Sequence, residues 1–178
     1  MSEIRPAEAR DLDEIMLLLS QARAAIARLG IDQWQDGYPE REQIRADIEA
    51  GAGVAFVREG RVAGYMALQT APEPVYARID GAWRCAGPYL TVHRMAIADG
   101  FRGGGLSVEM LNCALERAKS AGMRSVRADT HRGNRAMRRL LEKCGYAHCG
   151  EVRYEVTAGD PIRAAYELPI SGKESTRI

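Results

Sequence analysis

Three successive glycines, Gly103-Gly104-Gly105, separate a strand-like run at Leu90–Ile97 from a helical one, and no other feature constrains the fold as tightly. Downstream, Leu106, Met110, Leu111, Ala114, Leu115 and Ala118 recur at helical spacing until Gly122, and Ser125–Thr130 then reads as a second strand. Strand, glycine turn, helix and strand in this order predict a β-α-β unit with a parallel strand pair. A glycine-rich turn at a helix start also exposes backbone N–H groups at the positive end of the helix dipole, an arrangement suited to phosphate. Glycine supplies positive φ and allows a ligand to approach closely, and Arg102 adds a charged donor. The same turn is equally consistent with a tight connection between packed elements.

The rest of the chain fits a mixed sheet around this unit. Leu12, Ile15, Leu18, Leu19, Ala22, Ala25, Ile26 and Leu29 predict a first helix, with Asp11 and Glu14 in capping-box spacing and Gly30 as the stop. A shorter helix is expected over Pro39–Ala50. Val54–Arg58 and Arg61–Leu68 flank Glu59-Gly60, a two-residue hairpin signal. Residues 70–88 read as a long proline-containing loop, Arg135–Cys144 as a helix capped by Asn134, and Glu151–Val156 and Ala164–Leu168 as final strands after a first one at Ile4–Arg5. An antiparallel hairpin plus a β-α-β unit predicts the α/β class: one mixed, mostly antiparallel sheet with helices on both faces. Residues 1–170 read as a single domain and 171–178 as a flexible tail.

Which phosphate ligand the turn serves is narrowed by what it lacks. A P-loop needs a lysine that is missing, and in the dinucleotide pattern the third glycine falls on Val108. Net charge is +1, yet residues 1–60 carry 12 acids and 7 bases, whereas residues 94–139 carry 10 bases and 4 acids. That gradient can mark where an anion binds or simply reflect arginines scattered on solvated faces, while the near-neutral total argues against nucleic acid as the main partner. The start, MSEIRPAEARDLDE, lacks the apolar core of a secretion signal, and no apolar run of about 18 residues exists to span a membrane. A cytoplasmic protein is the resulting expectation. Its four cysteines form no CxxC pair and find no histidine at zinc spacing, so reduced thiols and no metal are expected.

Arg102-Gly103-Gly104-Gly105-Leu106-Ser107 resembles the R/Q-x-x-G-x-G/A signature of the GNAT superfamily of N-acetyltransferases, with Ser107 in place of the usual Gly or Ala. Asn134-Arg135-Ala136-Met137, followed by Glu142-Lys143-Cys144-Gly145-Tyr146, is similar to that family's later helix. The resemblance covers Ile4 to Leu168 and implies a sheet whose central strands splay apart around acetyl-CoA. It implies cofactor contacts from Met95, Ala96 and Ile97 of the preceding strand, from Arg102, Gly103, Gly104, Gly105, Leu106 and Ser107, and from Asn134, Arg135 and Met137. Arg102, Arg132 and Arg135 are then the arginines nearest the CoA phosphates. The implied reaction is direct attack of a primary amine, from a small molecule or a protein, on acetyl-CoA in a ternary complex. Such transfer needs a base for the amine, a donor for the developing oxyanion and a proton for the leaving thiolate.

The family's usual acid, a tyrosine, is replaced here by Leu141, which leaves Tyr146 and Cys144 as nearby candidates for that proton. His93 and Asp129 are the candidate bases, and His131 is expected to border the cofactor cleft. Trp34, Asp36 and Tyr38, between the first two helices, are the candidate acceptor site. Tyr76, Trp83 and Tyr89, in and beside the 70–88 loop, would form the other wall or a lid. A non-catalytic CoA-binding sensor and a nucleotide phosphotransferase are the alternatives. A homodimer through the first helix or the last strand is left open.

Overall fold

The computed structural model describes residues 2–156 and 159–170. The proposed tail at 171–178 lies outside the described residues. Eight strands form one sheet in the order β1-β2-β3-β5-β6-β8-β7-β4. They are β1 (Ser2–Pro6), β2 (Gly53–Arg58), β3 (Arg61–Gln69), β4 (Asp80–Gly81), β5 (Tyr89–Ile97), β6 (Ser125–His131), β7 (Ala147–Arg153) and β8 (Ile162–Pro169). The helices are α1 (Leu12–Arg28), α2 (Arg41–Glu49), α3 (Leu106–Ser120) and α4 (Arg135–Lys143). The expected mixed sheet is therefore present: β5 and β6 pair in parallel and the other neighbours are antiparallel.

Helices cover both faces because the strands alternate. On β2, Val54 and Phe56 point to one face and Ala55 to the other. The first face packs on Leu106, Met110, Leu111 and Ala114 of α3 and on Leu141 of α4. The second packs on Leu12, Ile15, Leu18 and Leu19 of α1 and on Ile44 of α2. A third cluster, around Tyr76, Val152 and Ala165, lies under the 70–88 loop. Among the described residues no helix is long and apolar enough to cross a membrane. The four cysteines are free.

Several local expectations need correction. Asp11 does not cap α1 through Glu14. Its carboxylate is taken by Arg5, at 2.6 and 2.8 Å, and by the Glu8 N–H, while Glu14 accepts from the Val62 N–H of β3. Leu29 lies past the end of α1 and is 63% exposed rather than on its buried face. Pro39 is outside α2, because Glu40, the residue before the helix, is extended. β7 starts at Ala147, not Glu151, since a bulge between His148 and Gly150 breaks the two-residue period there. The 70–88 segment is not unstructured: Pro74–Arg78 forms a 3-10 turn and Asp80–Gly81 pairs with Gly150–Glu151.

Candidate active site

Two features of the sheet open a cleft. β5 and β6 pair from Tyr89–Ser125 to Val92–Ala128 and no further, so the strands diverge beyond that point. On its other side, β5 carries a bulge against β3, where Tyr65 faces Ala96 and Ala67 faces His93. The bulge sets Arg94 at φ 53°, a conformation rarely adopted by non-glycine residues. The cleft has a volume of about 530 Å³ and is lined by both diverging strands, the α1–α2 connection, the 70–88 loop and the start of α4.

This cleft gathers many of the residues expected from sequence. Trp34, Asp36, Tyr38, His93, Met95, Asp129, Asn134 and Met137 all line it. Asn134 caps α4 as predicted, its Oδ1 accepting from the Met137 N–H at 3.2 Å. Ala96, Ile97, Arg102, Gly103, Gly104, Gly105, Leu106, Ser107 and Arg135 are outside the lining. Leu106 is buried under the sheet, Arg102 pairs with Asp99 at 2.9 Å, and Arg135 is exposed at the start of α4. Tyr146 and Cys144 are not at the cleft either. Tyr146 is 3% exposed in the α3–α4 core, its hydroxyl without a partner among the described residues, and Cys144 packs against the same core. Arg132, expected near phosphates, instead holds Asp160 at 2.8 Å. His131 is nearly buried: its Nδ1 accepts from the Gly133 N–H, and its Nε2 faces Asp32 and Asp160 at 3.4 and 3.6 Å.

The glycine turn itself is open. A side chain added at Gly103 or Gly105 would meet nothing within 4 Å, yet both have positive φ, 82° and 81°. Backbone conformation, not tight packing among the described residues, is what demands glycine there. The Gly105→Ala variant should strain this turn by about 1–2 kcal/mol. Its expected signature is a fall of roughly 2–8 °C in melting temperature, together with roughly ten-fold weaker binding of acetyl-CoA by calorimetry.

Asp129, near the end of β6, has its Oδ1 held by two phenols, Tyr76 at 2.7 Å and Tyr154 at 2.9 Å. Enclosure pushes the Asp129 carboxyl above the usual aspartate range, an effect partly offset by the two hydrogen bonds. Burial beside Asp129 also pushes both phenols up, so each remains a protonated donor. His93 Nε2 lies 3.2 Å from Glu73 Oε2, and this contact holds the Glu73 carboxyl below its ordinary range. Arg94 donates from Nε and Nη2 to the two oxygens of Asp47, both at 2.7 Å, and from Nη1 to the Tyr38 hydroxyl at 2.6 Å. Tyr65 donates to the same Asp47 at 3.0 Å.

Four of these participants escaped the sequence reading, Asp47, Glu73, Arg94 and Tyr154, while Tyr76 was expected only as part of a wall or lid. Two left a signal. Arg94 is a charge inside the apolar run Leu90–Ile97, and Asp47 follows Ile44 by three residues on the buried face of α2. The 70–88 loop contributes Glu73 to the cleft lining and is tied down at several points. Tyr76 is anchored on Asp129, the Trp83 indole donates to the Tyr76 carbonyl, and the Arg84 and Cys85 N–H groups donate to Glu167.

The fold is shared with acetyltransferases of known structure. An acetyltransferase of the GNAT family from Streptococcus agalactiae 2603 is 39% identical over 96% of each chain, with a TM-score of 0.87. A GNAT-family acetyltransferase from Listeria monocytogenes 4b F2365 matches at 20% identity over 95% of each chain, TM-score 0.71. The yncA protein of Salmonella typhimurium, solved with its cofactor acetyl-CoA, matches at 18% identity over 98% of this chain and 96% of that one, TM-score 0.71. The latter two share the fold. No curated protein matches this chain by sequence. Residues 18–146 match the model of the acetyltransferase (GNAT) family, and the chain belongs to that family.

Proposed function

We propose that this protein transfers the acetyl group of acetyl-CoA to a primary amine by direct attack, with Asp129 as the base. The observation that carries this reading is the Asp129 carboxyl, held by two tyrosine hydroxyls at the point where β5 and β6 part. Acetyl-CoA supplies the activated acyl group. The open glycine turn Gly103–Gly105 suits its phosphates, and the backbone of β5 near Met95–Ile97 suits its pantetheine arm and the developing oxyanion.

The acceptor side favours a cation. Asp36, Glu73, Asp129 and Glu155 line the cleft against Arg163 and Arg94, the latter already matched by Asp47, so carboxylates outnumber the arginines. An ammonium is drawn in, loses its proton to Asp129, and the neutral amine attacks. His93, whose Nε2 lies 3.2 Å from Glu73 without hydrogen-bond geometry, is the neighbouring relay for that proton. A small-molecule amine fits the cleft volume, and a protein amine carried on a flexible side chain fits the same chemistry.

Incubation with acetyl-CoA, a panel of amines and a thiol reagent tests the reading, with calorimetry on acetyl-CoA alone. Turnover on at least one amine is expected. No binding of acetyl-CoA overturns the proposal, and tight binding without turnover on any amine favours the sensor alternative.

A further inference from the structure

Acetyl transfer leaves one proton without a donor: the one that neutralises the departing thiolate. Leu141, at the family's usual tyrosine position, is a fully buried hydrocarbon in the α3–α4 core. Tyr146 and Cys144 lie in or against that core, away from the cleft lining. Tyr76 and Tyr154 already donate their hydroxyl protons to Asp129. Tyr38 differs from all of these. Its oxygen accepts from Arg94 Nη1 at 2.6 Å, and among the described residues its own O–H has no acceptor. It is 36% exposed as a residue, but its hydroxyl end is enclosed where the α1–α2 connection meets the β5 bulge.

We propose that Tyr38 is the acid that protonates the CoA sulfur, an assignment that rests on the acetyl-transfer reading above. Arg94 is the positioning residue. Asp47 grips two sides of its guanidinium, and Tyr65 and Gln43 brace Asp47, so Nη1 is aimed at the Tyr38 oxygen. With one side of its oxygen occupied by Arg94, the Tyr38 O–H is left to a partner in the cleft that Tyr38 lines. As the amine nitrogen bonds to the acetyl carbon, the C–S bond breaks and its electron pair goes to sulfur. The Tyr38 proton follows onto that sulfur, while the amine proton goes to Asp129. The phenolate that results faces the Arg94 charge directly and recovers its proton from solvent through the exposed side of the cleft. Burial outweighs Arg94 and keeps the resting phenol protonated, as an acid must be.

Calorimetry with CoA and with desulfo-CoA, which lacks the sulfur, tests the contact without turnover. At a pH above the thiol pKa of about 8.5, where CoA carries a thiolate, the Tyr38→Phe variant should bind CoA about ten-fold more weakly, the loss of one hydrogen bond to a charged sulfur, and bind desulfo-CoA as the wild type does. Unchanged desulfo-CoA binding doubles as the check on folding. In turnover, kcat should fall about 100-fold or more, with the alkaline limb of its pH profile lost and the acceptor KM nearly unchanged. Equal binding of CoA by variant and wild type overturns the assignment. So does a rise in acceptor KM with kcat and pH profile intact, which would make Tyr38 an acceptor-binding residue. A wild type that binds neither CoA nor desulfo-CoA overturns the acetyl-transfer reading itself.

Discussion

The Asp129→Asn variant should lose a factor of about 10²–10⁴ in kcat while binding acetyl-CoA normally. The amide keeps the shape and still accepts from Tyr76 and Tyr154 through its oxygen, so the fold should persist. What disappears is the ability to take a proton. The pH dependence gives a second, sharper readout. A base works only when ionised, and burial holds the Asp129 carboxyl above the ordinary aspartate range. Activity should therefore fall as pH drops through that raised value, earlier than a solvent-exposed aspartate would dictate. Removing one donor, in Tyr76→Phe or Tyr154→Phe, destabilises the carboxylate further and should move that acid limb to higher pH. A His93→Gln variant should lose less than Asp129→Asn. An Asp129→Asn enzyme that keeps its rate within a few-fold, with its acid limb in place, would remove Asp129 from the reaction.

The largest stability loss is expected from Glu167→Ala. Glu167 is fully buried on β8. One oxygen accepts from Ser125 at 2.7 Å and from Arg127 Nε at 2.8 Å, and the other from the Arg84 and Cys85 N–H groups. Arg127 is enclosed too, its guanidinium carbon 4.1 Å from the Trp83 ring centre and 3.9 Å from that of Tyr89. Truncating Glu167 strands a buried cation and two backbone donors at once, at a cost of about 3–5 kcal/mol. For a chain of this size that corresponds to a fall of roughly 6–20 °C in Tm. The exposed Lys119–Glu116 pair offers the contrast: Glu116→Ala should change stability by about 0.5 kcal/mol or less. Glu167→Ala also frees the 83–85 segment that holds the loop under Tyr76. Its residual activity should therefore fall by more than its unfolded fraction explains. A melting curve within 2–3 °C of wild type would show that the network contributes no net stability.

Much of the fold was legible because its signals are local. The glycine turn, the hairpin at Glu59-Gly60 and the cap at Asn134 each depend on residues a few positions apart. The positive φ values at Glu59 and Gly60, 53° and 76°, match what a two-residue turn requires. The errors fell where tertiary partners outbid local ones. Asp11 prefers the Arg5 guanidinium to the N-terminus of its own helix, because a charged bidentate partner is stronger than a cap. β7 hid behind a bulge.

The site divides along the same line. His93, Asp129, Trp34, Asp36 and Tyr38 could be named from their places in the chain, yet their tasks could not. Asp129 acquires its raised affinity for protons from enclosure, and its two hydroxyl partners come from positions 53 and 25 residues away. Arg94 meets Asp47 and Tyr38 across 47 and 56 residues. By itself the sequence determined the family, the β-α-β unit with its glycine turn, and the split between an acidic first sixty residues and a basic stretch at 94–139. Only the tertiary structure decided which groups are buried and which hydroxyl keeps a free proton. Desolvation and hydrogen-bond geometry depend on the whole shell around an atom, and most of that shell here comes from distant parts of the chain.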